Sequence, residues 1–140
     1  DNVCYGHVLV DVAEMLRSWA TEASGTETWV SPPIAAAIMA GYAETGLLLT
    51  PDDILLLPTV LRAITVTLAR RYLTDALAEV FFKWDSSAYP SLDIQNRTRA
   101  EAMLSLAESL LMNESPLAEA FGEAYEGGFS AGCRPGESES

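Results

Sequence analysis

The chain has 140 residues, enough for one domain with a sizeable core, and 49% of them are hydrophobic. Eight basic against twenty acidic side chains leave a net charge of -12, which excludes the basic footprint expected of a partner for nucleic acid or an anionic membrane. Two cysteines, Cys4 and Cys133, are too few for a disulfide framework or a zinc site, and a reduced, cytoplasmic setting is the default.

Asp1 to Gly6 is short, aromatic and turn-like, and the chain opens as if cut from something longer. Val8 to Ala23 reads as a helix. Leu9, Val12, Leu16 and Trp19 form its apolar stripe, and Asp11 and Glu14 lie near its positive N-terminal end. Ser24 to Thr28, containing Gly25, reads as a loop; strand signal is confined to the opening residues and to Thr28 to Ser31. Ser31-Pro32-Pro33 predicts an N-cap with proline in the first turn. That helix runs to about Glu44, with Ile34, Ile38 and Tyr42 on one face, and Gly46 as its stop. Thr50-Pro51-Asp52-Asp53 is a second start, opening a short helix to Leu57. Pro58 either begins the next helix or kinks this one into it.

Pro58 to Glu79, continuing towards Trp84, is apolar on most sides. Leu61, Ile64, Leu68, Tyr72, Ala76 and Val80 form one stripe, and Val66, Ala69, Leu73 and Leu77 an adjacent one. Two stripes exceed the single face of a surface helix, so this helix is expected to be central and covered by the others. Asp85 to Pro90 is a polar loop. Leu92 to Met112 is a strong helix with Ile94, Ala102, Leu106 and Leu110 inward, and Ser115-Pro116 opens a short helix to about Tyr125. Gly127 to Ser140 has the composition of a disordered acidic tail. The expected class is all-α, about six helices around a long central helix, with residues 1–126 structured and 127–140 a tail.

Motifs for chemistry are sparse. His7 is the only histidine, which removes two-histidine metal motifs and makes a Ser-His-Asp triad implausible; beside Gly6 it reads as a loop residue. There is no Gly-x-x-x-x-Gly-Lys loop and no Gly-x-Gly-x-x-Gly. Helix capping suffices to explain Asp52-Asp53. Arg71 with Asp75, and Arg97 with Glu101, are spaced for i,i+4 pairs. Arg70-Arg71 on an otherwise apolar helix is less ordinary. Six of the eight basic residues lie between 62 and 99, where they neutralise neighbouring acids or hold an anion. Trp19 and Trp84 read as core.

The order of segments says more than any one of them. Asp1 to Arg17 resembles, in the aminoglycoside phosphotransferase and choline kinase-like family, the metal-binding I-D-x-D segment with its following turn and x-D-x-(A/G)-(D/E)-x-(L/I)-R helix. Ala40-Gly41-Tyr42 is similar to the family's x-G-Y helix end, and Leu49-Thr50-Pro51-Asp52-Asp53 to its L-T-x-x-E start. Arg71-Tyr72-Leu73-Thr74-Asp75-Ala76-Leu77, then Phe81-Phe82-Lys83, resembles R-F-L-T-D-Y-L … Y-F-K of the sugar-kinase and homoserine-kinase-like branch. Asn96-Arg97-Thr98-Arg99-Ala100 to Leu106 resembles its N-x-x-R-A-x-x-x-x-x-L helix.

The resemblance covers residues 1–112 and implies the helical C-terminal subdomain of a protein-kinase-like fold. It implies phosphate transfer from ATP, with Mg2+, to a hydroxyl of a sugar, amino alcohol or similar small-molecule phosphoacceptor. The H-x-D-x-x-x-x-N catalytic loop and the ATP lobe are not in these residues. No catalytic residue is therefore assigned in this chain, which alone is expected to bind neither ATP nor Mg2+ and to be inactive. Asp1 is implied as an auxiliary metal group. Asp11 is implied to support the catalytic loop, whereas its position alone makes it an N-terminal helix acid. Tyr5, His7, Arg71 and Asp75 are implied around the acceptor pocket. The alternative is a stand-alone acidic all-helical interaction module without catalysis.

Overall fold

The computed structural model describes residues 8–46 and 48–132. Five helices and one hairpin follow in order: α1 (Val8–Trp19), β1 (Thr21–Ser24), β2 (Glu27–Val30), α2 (Pro32–Glu44), α3 (Pro51–Ala78), α4 (Leu92–Met112) and α5 (Glu114–Gly132). The class is mostly helical, as expected, but the details differ in five places.

First, the short helix expected to end at Leu57 continues through Pro58, the second of the two outcomes the sequence leaves open there. One 28-residue helix runs from Pro51 to Ala78 with the buried Pro58 inside it. Its start is fixed as the sequence suggests. Thr50 Oγ1 accepts from the Asp53 amide at 3.1 Å, and the Asp53 carboxylate accepts from the Thr50 amide at 2.9 Å, a reciprocal capping box with Pro51 at the first position. Downstream, these starting contacts and packing on both sides outweigh the one backbone bond that Pro58 removes.

Second, the loop expected at Ser24 to Thr28 is a hairpin. Thr21 to Ser24 pair antiparallel with Glu27 to Val30, Thr21 opposite Val30 and Ser24 opposite Glu27. Gly25 has φ +61 at the first central position of the two-residue turn, as a type II′ hairpin requires. Third, α1 consequently ends at Trp19, whose side chain is 67% exposed, and the following Ala20 is the buried residue. Trp84 is also exposed, so neither tryptophan is core.

Fourth, α3 is not covered on all sides. Leu57, Leu61, Thr65, Ala69 and Ala76 are buried, but Val66, Leu73 and Leu77 are exposed, Leu77 at 83%. The helix packs against α1, α4 and α5, and Val66, Leu73 and Leu77 of its second stripe are left open beside Leu104 of α4. Ile94, expected inward on α4, is likewise exposed. Fifth, α5 continues past Tyr125 to Gly132, through residues whose composition suggested a tail.

The core gathers Leu9, Val12 and Leu16 of α1, Met39 of α2, Leu57 and Leu61 of α3, Leu106 and Leu110 of α4, and Phe121 of α5. Burying side chains of this size stabilises by about 1.5–3 kcal/mol each. β2 lies on α4, where the Thr28 amide donates to Ser105 Oγ at 3.0 Å. The Leu49 amide, just before α3, donates to the buried Tyr125 hydroxyl of α5 at 2.9 Å. Among the described residues no helix is long and apolar enough to cross a membrane.

Candidate functional site

The most organised polar region is where α3 leaves for α4. A carboxylate in the last turn of a helix faces the negative end of the helix dipole, so Asp75 needs compensating donors. It has them. Its carbonyl oxygen accepts the Glu79 amide at 2.8 Å. Its Oδ1 accepts the Val80 and Phe81 amides at 2.7 Å each, and its Oδ2 accepts the Phe82 amide at 3.0 Å. Four consecutive backbone N–H groups therefore converge on one residue. Asn96 of α4 adds a fifth donor, its side-chain amide reaching Oδ2 at 3.0 Å. Asp75 is fully buried, and burial by itself would raise its pKa. The Phe81, Phe82 and Val80 amides and Asn96 outweigh that and hold it below its ordinary value.

The neighbouring Gln95 ties the same connection from its other side. Its Oε1 accepts the Asp85 amide at 2.7 Å, and its Nε2 donates to the Lys83 carbonyl at 3.0 Å. Gln95 and Asn96 are both fully buried at the start of α4. The Ser87 hydroxyl and amide, with help from Arg99, hold the Asp85 carboxyl low.

Aromatic rings and arginines cover this scaffold. Tyr72 of α3 and Phe82 stack tilted with centroids 4.5 Å apart. Arg71 lies 5.9 Å over the Phe82 ring, and Arg99 5.9 Å over Tyr72 and 6.0 Å over Tyr89. The expected Arg71–Asp75 ion pair does not form, because Asp75 is turned to the backbone. Arg97 pairs backwards with Asp93 at 2.7 Å rather than forwards with Glu101.

Beside this cluster is a cavity of about 230 Å³ lined by Thr67, Arg70, Arg71, Thr74 and Phe81. Arg71 lines this cavity and Asp75 does not. The lining residues Thr67, Thr74 and Phe81 are not legible as a site in sequence; only the Arg70-Arg71 doublet on an apolar helix signals it. Asp11 is exposed in the first turn of α1. Burial chiefly, then Tyr125 and Asp11, push the Tyr42 hydroxyl above its ordinary pKa. Asp1, Tyr5 and His7 lie outside the described residues. A larger cleft of about 540 Å³ runs between Leu49, Pro51, Ile54 and Leu55 on one side and Ala118, Gly122 and Tyr125 on the other.

No protein-family model matches the chain, and neither the curated proteins nor the solved structures compared with it give a significant match.

Proposed function

We propose that this chain forms the acceptor-side helical part of an ATP-dependent small-molecule phosphotransferase with a protein-kinase-like fold. One observation carries the reading. The separate motifs that resemble the sugar-kinase and homoserine-kinase-like branch come together in space: Arg71, Tyr72 and Asp75 of α3, Phe82 of the connection, and Asn96 and Arg99 of α4 form one cluster. Residues drawn from distant motifs have a common reason to recur in order when they build one wall. That wall adjoins the cavity containing Arg71 and Phe81.

Among the described residues no three His, Cys, Asp or Glu side chains gather to hold a metal ion. The role proposed for these helices is to bind and orient the acceptor hydroxyl. ATP and Mg2+ enter only as requirements of the complete enzyme, and a cytoplasmic setting belongs to the same reading. The coding sequence upstream of Asp1 tests it. An in-frame H-x-D-x-x-x-x-N is expected, and the product of the whole reading frame should consume ATP only with a hydroxyl acceptor present. ATP turnover by the 140-residue chain alone, or an upstream frame without that loop, would overturn it.

The uncovered stripe on α3 favours a second reading, an interaction module. Val66, Leu73 and Leu77, with Leu104 of α4, border an apolar groove of about 400 Å³. A whole reading frame lacking the catalytic loop would leave this reading in place.

A further inference from the structure

We propose that the ligand of the Arg70–Arg71 cavity carries an anionic group beside its hydroxyls; as a statement about the acceptor, this rests on the phosphotransferase reading. The chain has twenty acidic side chains, and three of its seven arginines lie against one. Arg17 pairs with Glu14 at 2.6 Å and Arg97 with Asp93 at 2.7 Å, and Arg99 is close enough to Asp85 to help lower its pKa. Arg70 and Arg71 are exposed, line one cavity, and have no ion-pair partner among the described residues. The acid spaced to answer Arg71 is Asp75, and its carboxylate is committed to three backbone amides and Asn96. Two guanidiniums without an anionic partner on one concave surface, Arg71 held over the Phe82 ring, in a chain of net charge -12, match a carboxylate or phosphate.

The hydroxyls of the cavity specify the rest of the ligand. Thr67 Oγ1 donates to the Ala63 carbonyl at 2.9 Å, and Thr74 Oγ1 to the Arg70 carbonyl at 3.0 Å. Their protons are committed, so each offers lone pairs to the ligand and favours its donors, as hydroxyl groups are. Phe81 supplies an apolar face for the ligand's carbon skeleton. The chemistry is that of a hydroxy acid or a phosphorylated polyol, and a neutral sugar leaves the guanidiniums unanswered.

Calorimetric titration of the 140-residue chain with glucose, gluconate, glucose 6-phosphate and inorganic phosphate, at low salt, tests this. Gluconate or glucose 6-phosphate should bind at least tenfold more tightly than glucose, and which of them does so separates carboxylate from phosphate. The Arg70→Gln/Arg71→Gln double variant should lose the preference. The Arg97→Gln variant, altered outside the cavity, should keep it. An Arg70→Lys/Arg71→Lys variant with native circular dichroism should recover part of it, which separates charge from folding. Equal affinity for all three sugars, no binding of any, or inorganic phosphate binding as tightly as glucose 6-phosphate would overturn the proposal. In the whole-frame product, glucose phosphorylated as efficiently as gluconate sinks this inference and leaves the phosphotransferase reading standing. Arginine-dependent anion binding without ATP consumption does the reverse.

Discussion

The Asn96 side-chain amide donates to the Asp75 carboxylate across 3.0 Å, joining the first turns of α4 to the last of α3 at a fully buried point. Replacing Asp75 by Asn turns an amide NH2 group on the two donors that one carboxylate oxygen had accepted and orphans them. The Asp75→Asn protein should melt on the order of 5–10 °C lower at pH 7 by circular dichroism.

The same carboxylate sets a pH dependence. Its folded pKa lies below the ordinary 3.8, so the unfolded chain binds the proton more readily. The stability it contributes is present above pH 3.8 and is lost as pH falls below that value through the folded pKa. Melting curves at stepped pH should show the Asp75→Asn variant losing less stability than the native chain over that acidic window. Parallel losses would mean that other carboxylates dominate.

Two adjacent glycines of α5 should respond oppositely to alanine. A Cβ on Gly128 would lie 2.3 Å from the Ala40 carbonyl oxygen and 2.6 Å from its Cα, both backbone atoms of α2. The helices must then separate, and Gly128→Ala should destabilise by about 1–3 kcal/mol. A Cβ on Gly127 meets nothing, and it is exposed in the same helix. Gly127→Ala should stabilise by about 0.5–1 kcal/mol. Urea unfolding of the pair checks the sign directly.

Glu79 ends α3 with φ 53 and ψ 42, left-handed backbone that strains a residue with a Cβ. Its side chain is exposed. Glu79→Gly should raise stability by about 0.5 kcal/mol, the relief of strain exceeding the entropy that glycine adds to the unfolded chain. A loss of stability in urea unfolding would show that the side chain contributes something its exposure conceals.

The buried Tyr125 hydroxyl is the acceptor for the Leu49 amide. Tyr125→Phe keeps the ring and removes that acceptor, and should cost about 1–3 kcal/mol in chemical unfolding. The effect should exceed that of Tyr42→Phe, whose hydroxyl is buried without a hydrogen-bond partner among the described residues.

Local signals were legible where they are local. Thr50 to Asp53 announces its capping box; the cap of α4 by Ser91, which accepts from the Ile94 amide at 3.3 Å, was not read. The hairpin was not legible because β1 is almost wholly exposed and shows no alternation; Gly25 and the packing of β2 on α4 decide it. Trp19 misled because hydrophobic spacing does not say where a helix ends. Val66, Leu73 and Leu77 misled because apolar character does not guarantee a neighbour. Arg71 and Asp75 look like a pair in the sequence. Only the turn after Glu79, which points four amides back at the helix, reveals that Asp75 has a different task. Asn96 carried a signal in its motif, but its contact with Asp75 spans two helices and cannot be read from spacing along one.

The amides of Val80, Phe81 and Phe82 follow the end of a helix and belong to no ladder, so they should behave in hydrogen–deuterium exchange as fast surface sites. Bound to a buried carboxylate, they should instead exchange as slowly as the core of α3, only when the α3–α4 pair comes apart. Phe81, 70% exposed at the rim of the cavity, should thus be carried on backbone that opens as rarely as the core of α3. A ligand arriving there meets a surface already set in place, and its binding should leave little trace in the exchange of the residues it touches.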